Sequence, residues 1–188
     1  MGTLTAVESR GEGRAIAFAK DDIPDIASGD SLCVSGVCLT AEESDSGLMF
    51  AISPETLLRT RFREIEPGNQ LNLERSLPAN GRLGGHFVTG HVDGVGHLDD
   101  LVPQGDFVLA TFSIPKSLAP FLVDKGSICV EGVSLTLVTP SGGQFSCALV
   151  PETLERTTLG LMKPGSSINV EVDILAKHVH AFLEHRQA

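Results

Sequence analysis

The chain contains no tryptophan and no tyrosine, and its nine phenylalanines are scattered rather than set among basic residues. A flat heterocyclic ligand therefore meets aliphatic walls and polar groups, and a base-stacking platform for single-stranded nucleic acid is excluded. Positive charge is scarce too, with 14 Lys and Arg against 24 Asp and Glu, a formal charge of -10. Clustered cations are what release counterions from a polyphosphate, so no nucleic-acid partner is expected. Cysteine is confined to Cys33, Cys38, Cys129 and Cys147, with no CxxC pair. That usage supports neither a zinc site nor a disulfide framework, and it reads as a reducing cytoplasm. No apolar run approaches the roughly 20 residues that span a bilayer, and the N-terminus lacks the basic flank and apolar core of a signal segment. No membrane partner is expected.

What the chain does have, it has twice. Residues 31–40 read SLCVSGVCLT and residues 127–136 read SICVEGVSLT, identical at seven of ten positions. The echo continues from Pro54-Glu55-Thr56-Leu57 to Pro151-Glu152-Thr153-Leu154, from Arg59-Thr60 to Arg156-Thr157, and from Pro67-Gly68 to Pro164-Gly165. The offset is 96 residues in the first block and 97 in the others, too long for a solenoid repeat. A chain of 188 residues then divides into two domain-sized units. We expect them at 1–85 and 86–172, with the junction near Gly84-Gly85 and a terminal segment at 173–188.

Within each half the apolar residues alternate or run in short β-branched bursts, as in Thr3 to Val7, Ala15 to Phe18 and Leu48 to Ile52. Gly or Pro punctuates them at the spacing of a small antiparallel barrel or sandwich, so the expected class is all-β, two similar barrels in tandem. A turn or two of helix is expected at Asp21 to Ser28, Pro54 to Phe62, Pro115 to Asp124 and Pro151 to Leu159; Ser53 before Pro54 has N-cap and first-turn chemistry. Asp173 to Arg186 differs, because Leu175, Val179, Phe182 and Leu183 recur at helical spacing. A helix of about 14 residues is marginal alone, so this stripe either packs on its own barrel or joins chains. His178, His180 and His185 on it lack the i, i+4 pairing of a zinc site and are taken as surface or interface residues.

Candidate chemistry lies in and between the repeats. Ser31, Cys38 and Thr40 stand opposite Ser127, Ser134 and Thr136, and strand alternation gives Cys38 and Thr40 a shared environment. Such hydroxyls suit a polyol chain or ring carbonyls; equally, Ser and Thr fill strand positions and satisfy turns. The halves disagree at Cys38 against Ser134, Ser35 against Glu131, Gly29 against Lys125, and Ser76 against Asp173. Between them runs GGHFVTGHVDG, residues 84–94, which has neither the strand-turn-helix context of a dinucleotide loop nor the GK of a phosphate loop. Its two histidines, His86 and His91, sit at a flexible junction and are candidates for moving a proton near neutral pH.

With SGVCLT, PETLLRT, GNQLNLERSL, GGHFVTGHVDG, EGVSLT, PETLERTTLG and INVEVD in one order, the chain resembles the riboflavin synthases of the trimeric, two-barrel type from Gly2 to about Leu183. That resemblance implies two tandem six-stranded Greek-key β-barrels and a C-terminal α-helix that joins three subunits into a homotrimer. It implies dismutation of two 6,7-dimethyl-8-ribityllumazine molecules: one yields a four-carbon unit to the other, giving riboflavin and 5-amino-6-(ribitylamino)uracil, with no cofactor and no metal. The productive site would lie between the first barrel of one subunit and the second barrel of its neighbour. Carried over position by position, the catalytic group is Ser31, Cys38, His91 and Asp173. The substrate-binding group is Thr40, Ala51 and Ser53 in the first half, and Lys125, Ser134, Thr136, Val150 and Thr153 in the second. His91 would shuttle protons, and Ser31 and Asp173 would position or activate the nucleophile that adds to one lumazine.

Two expectations follow from departures and rivals. Phe87-Val88-Thr89-Gly90-His91 precedes the second repeat, whereas only Met1 precedes the matching Gly2, so a form extended upstream is expected to be more active. The rival readings are a lumazine-protein-like binder that holds a lumazine or flavin without converting it, and a structural assembly protein with no ligand.

Overall fold

Along residues 37–41 apolar and polar side chains alternate, and the chain there is a strand with Val37, Leu39 and Ala41 buried and Cys38 and Thr40 turned outward. The structure, a computed structural model, describes residues 1–45 and 47–186. Its first half contains β1 (Gly2–Arg10), β2 (Gly13–Phe18), β3 (Ser31–Val34), β4 (Val37–Ser44), β5 (Gly47–Ile52), β6 (Gln70–Leu71) and β7 (Leu73–Arg75). The second half contains β8 (Gly94–Gln104), β9 (Phe107–Ser113), β10 (Ser127–Val130), β11 (Val133–Thr136), β12 (Val138–Ser141), β13 (Gln144–Leu149) and β14 (Ser167–Val172).

Each half is an antiparallel sheet of seven strands, in the orders β6-β1-β2-β5-β4-β3-β7 and β11-β10-β14-β8-β9-β13-β12. The resemblance implies six. The difference is one interruption per barrel: β6 and β7 are a single segment broken at Asn72, and β11 and β12 a single segment broken at Leu137. Joined across those breaks, both rings run through six segments in the same cyclic order. In each, three hairpin-linked segments return to lie beside the strand before them, which is a Greek key. Even the bulges repeat, between Leu4 and Ala6 and between Leu98 and Asp100.

Each ring encloses its own core. Phe18 and Phe50 meet edge to face at 5.9 Å in the first, and Phe112 and Phe145 at 5.4 Å in the second. Full burial of one such ring contributes about 1.5–3 kcal/mol. The short helices stand where capping chemistry places them: α1 (Pro54–Arg59) begins at Ser53, whose hydroxyl accepts from the Thr56 amide, and α2 (Pro151–Arg156) begins at Val150 with Pro in its first turn. Last comes α3 (Ile174–His185), capped by the Asp173 carboxylate on the Leu175 amide. Its stripe of Leu175, Val179, Phe182 and Leu183 is exposed.

The barrels meet through an exchange of equivalent groups. Asn72 donates to the Glu131 carbonyl at 2.8 Å and accepts from the Thr158 amide; Asn169 donates to the Ser35 carbonyl at 2.9 Å and accepts from the Arg61 amide. One feature breaks this symmetry. Glu131, fully buried where the first half has Ser35, accepts two bonds from one guanidinium edge of Arg61, Nε at 2.8 Å and Nη2 at 2.6 Å. Burial lowers the Arg61 pKa, but the hydrogen bonds and charge of Glu131 outweigh it and hold the guanidinium above its ordinary value. A charge this deep is tolerable only when paired and hydrogen-bonded.

Candidate active site

The outward faces of two equivalent hairpins carry the sequence-predicted residues. In the first barrel β3 and β4 pair Ser31 with Thr40 and Cys33 with Cys38; in the second β10 and β11 pair Ser127 with Thr136 and Cys129 with Ser134. Leu32, Leu39, Ile128 and Leu135 point into the cores, so alternation puts Cys38 and Thr40 on one outer face and Ser134 and Thr136 on the other. Cys38 and Thr40 share the outward face that alternation predicts, and only Cys38 lines the cavity beside it.

The linker of residues 84–94 serves both hairpins. Gly90 lies against Cys38, accepting the Cys38 amide at 2.9 Å through its carbonyl, and a β-carbon on Gly90 would stand 2.6 Å from that of Cys38. Five residues earlier Gly85 lies against Ser134, where an added β-carbon would stand 2.7 Å from the hydroxyl oxygen. Each glycine is followed by a histidine. The two Gly-His pairs of one segment therefore address one of the equivalent positions at which the repeats differ, a thiol in the first half and a hydroxyl in the second.

His91 and Cys38 line one cavity of about 470 Å³ together with Thr56, Arg59 and Lys177. Its charges are paired: Lys177 bridges Asp93 at 2.7 Å and Arg59 bridges Glu55 at 2.8 Å. Cys38 alone of the four cysteines is exposed. Burial pushes the thiols of Cys33 and Cys147 up to about 12, with a Gly36 hydrogen bond opposing it at Cys33, and burial also raises Cys129 well above its ordinary value. A larger cavity of about 960 Å³ sits under the loop that includes Lys20 and Ser28, away from these groups.

At the second hairpin His86 Nδ1 stands 2.8 Å from the Ser134 hydroxyl, while its Nε2 is buried without a hydrogen-bond partner. Burial holds this imidazole below its ordinary 6.5, and the charges of Asp173 and Glu171 pull it back up. A neutral imidazole keeps a lone pair on one nitrogen and a proton on the other, so it can orient a hydroxyl.

Not every candidate joins one cluster. Ser31 and Thr40 flank the Cys38 face without lining its cavity, and the Ser31 carbonyl accepts from Ser76. Asp173, placed with the catalytic group by the resemblance, caps α3, and its charge acts on His86. Ala51 lies on β5, and Ser53 caps α1 with its hydroxyl 2.9 Å from that of Thr56. Lys125 takes a left-handed backbone at φ +60, standing where the first half has Gly29. Val150 is exposed, and Thr153 half-buried on α2. Sequence reasoning missed Glu171, buried on β14, which grips Thr89 and Gly90 beside His91. Its signal was available, since Glu74 and Glu171 recur at the same offset in LNLERS and INVEVD.

Twin barrels with equivalent hairpins, one lining a cavity with Cys38 and the other meeting His86 at Ser134, define a duplicated two-barrel protein. The lumazine binding domain matches residues 1–76 and again residues 89–173, and the chain belongs to that family. A riboflavin synthase of Actinobacillus pleuropneumoniae is 35% identical over 97% of this chain and 86% of its own length. One of Mycobacterium bovis is 40% identical over 85% of this chain and 82% of its own. Among solved structures, LumP complexed with 6,7-dimethyl-8-(1'-D-ribityl) lumazine superposes with a TM-score of 0.79 at 28% identity, over 91% of this chain and 94% of that one.

Proposed function

We propose that the chain is a riboflavin synthase, converting two 6,7-dimethyl-8-ribityllumazine molecules into riboflavin and 5-amino-6-(ribitylamino)uracil. One observation carries this reading: equivalent hairpin positions present a thiol in one barrel and a hydroxyl in the other, each met by its own Gly-His pair. Two copies of one substrate then enter similar but unequal surroundings, which suits one to donate four carbons and the other to accept them. The carbons gained by one molecule are those lost by its twin, so no outside oxidant or reductant is consumed. Holding both rings in register turns a bimolecular encounter into an effectively unimolecular step.

In this reading Cys38, His91 and Ser31 serve the first-barrel site with Thr40, Ala51 and Ser53 around the ligand. Lys125, Ser134, Thr136, Val150 and Thr153 hold the second ligand, and Asp173 acts with the catalytic group of Ser31, Cys38 and His91. The units are 1–85, 86–172 and the terminal segment 173–188, which carries α3. The exposed stripe on α3 supports self-association, and the trimer would bring the first barrel of one subunit against the second barrel of its neighbour. The free cysteines fit a cytoplasmic enzyme.

Purified protein mixed with the lumazine should generate riboflavin absorbance, with subunit number measured alongside by light scattering. A change of lumazine fluorescence without riboflavin would make the protein a binder like LumP and overturn the enzyme reading. A monomer would overturn the shared site.

A further inference from the structure

We infer that Glu171 is a positioning residue for the reaction, fixing His91 at the first-barrel mouth through the backbone of Thr89 and Gly90. The inference rests on the reading of His91 as part of the reacting site.

Glu171 lies on β14 of the second barrel, 1% exposed, between the buried valines Val170 and Val172. Its carboxylate does not face solvent or a cation. One oxygen accepts from the Thr89 amide at 2.8 Å and the Thr89 hydroxyl at 2.6 Å, and the other accepts from the Gly90 amide at 3.0 Å. A buried carboxylate is expensive to keep unless its oxygens are hydrogen-bonded, and here all three donors come from the linker segment.

What the grip holds is the approach to His91. The Gly90 carbonyl accepts the Cys38 amide at 2.9 Å, so the segment gripped by the second barrel is pressed onto the first. Immediately after His91, Val92 packs against the first-barrel core. The next residue, Asp93, returns to β14: its amide donates to the Val170 carbonyl at 2.8 Å and its carboxylate accepts from the Val172 amide at 2.9 Å. His91 thus stands on an arch of two residues, pinned to one strand on both sides and wedged into the opposite barrel between the pins. Reacting groups need their geometry held to a fraction of an ångström, and an arch this short leaves the backbone under His91 little freedom. Of the two pins, the Asp93 side combines one main-chain bond with two contacts of its own carboxylate, to the Val172 amide and to Lys177 on α3, whereas the Thr89-Gly90 side depends on the one side chain of Glu171.

The test is a double-variant cycle on the full chain, read by initial rates of riboflavin formation and by thermal melts. Glu171→Gln keeps the shape but turns an amide donor toward the Gly90 amide. We expect kcat to fall roughly 10- to 100-fold while KM shifts less than about threefold. Acting through His91, Glu171→Gln should add less than about twofold to the loss already caused by His91→Gln. Thr89→Val removes one donor from the same grip at an exposed position, and should give a smaller loss that also disappears in the His91→Gln background. It carries the test if Glu171→Gln fails to fold. Losses that multiply in the double variants, or a wild-type kcat in Glu171→Gln, would overturn the inference. A wild-type rate in His91→Gln would remove its premise, and an unsubstituted chain that makes no riboflavin would defeat the functional reading itself.

Discussion

Gly36 and Gly132 touch backbone to backbone at the seam between the barrels: a β-carbon on Gly36 would lie 2.9 Å from the Gly132 nitrogen, and one on Gly132 would lie 2.8 Å from the Gly36 nitrogen. Both take left-handed backbone, at φ +84 and +82. The repeated SG and EG turns are therefore more than turns, since each is the surface on which the other barrel rests.

Alanine at either position should be destabilising twice over. The left-handed backbone disfavours any β-carbon, by about 1–3 kcal/mol, and the opposing main chain has no flexible end that can yield. Gly36→Ala and Gly132→Ala should each lower the urea midpoint, and should do so more than alanine at Gly11, where φ is +62 but nothing lies within 4 Å. Equal effects at Gly11 and Gly36 would show that conformation alone matters and that the seam bears no close packing.

The Arg61–Glu131 bridge should behave as a buried pair does. Arg61→Met leaves a fully buried carboxylate without its cation and should cost about 3–5 kcal/mol of unfolding free energy in urea. Changing both residues, Arg61→Met with Glu131→Leu, should cost less than the sum of the single changes, because no charge is then stranded. Full recovery is not expected, since Glu131 also accepts the Asn169 amide at 2.6 Å. Additive losses would mean that the two side chains do not stabilise one another.

Much of this was legible in the sequence, and the limits are physical. The repeat gave two like units, alternation gave the outward turn of Cys38 and Thr40, and helical spacing from Asp173 onward gave α3 within a residue or so. Ser53-Pro54 located α1 because capping is local chemistry. The breaks at Asn72 and Leu137 were not legible, because each marks where one segment changes hydrogen-bonding partner, which depends on ring closure. Nor was the sorting of the site. His86 and His91 look alike in GGHFVTGHVDG, and only the folded linker assigns one to Ser134 and the other to Cys38. Glu171 was legible only through the repeat, as the counterpart of Glu74, because a buried carboxylate gripping Thr89 and Gly90 about 80 residues away leaves no local pattern.

Cysteine reactivity should separate the four thiols cleanly. With Cys33 and Cys147 pushed up to about 12 and Cys129 raised by burial, brief alkylation of the native protein near pH 7.5 should modify Cys38 and leave the other three until denaturant is added. Intact mass should show one added group, and a Cys38→Ser variant none. Ligand bound at the first-barrel site should slow the reaction. Modification of two or more thiols at the same rate would contradict the burial seen here.

Stability should also depend on pH through His86. Its folded pKa lies below 6.5 because burial disfavours the imidazolium, with Asp173 and Glu171 only partly compensating. The unfolded chain therefore takes up this proton first on acidification. The contribution of the neutral ring is complete above 6.5 and is lost as pH falls through the lower folded value. Measured as the difference in unfolding free energy between wild type and His86→Gln, it should be constant from pH 7 to 8 and shrink steadily from pH 6.5 to 5. Urea titrations at half-unit intervals would give the curve directly. A difference that stays level, or grows in acid, would mean that the ring charges easily in the folded protein and that its contact with the Ser134 hydroxyl is made by the protonated form.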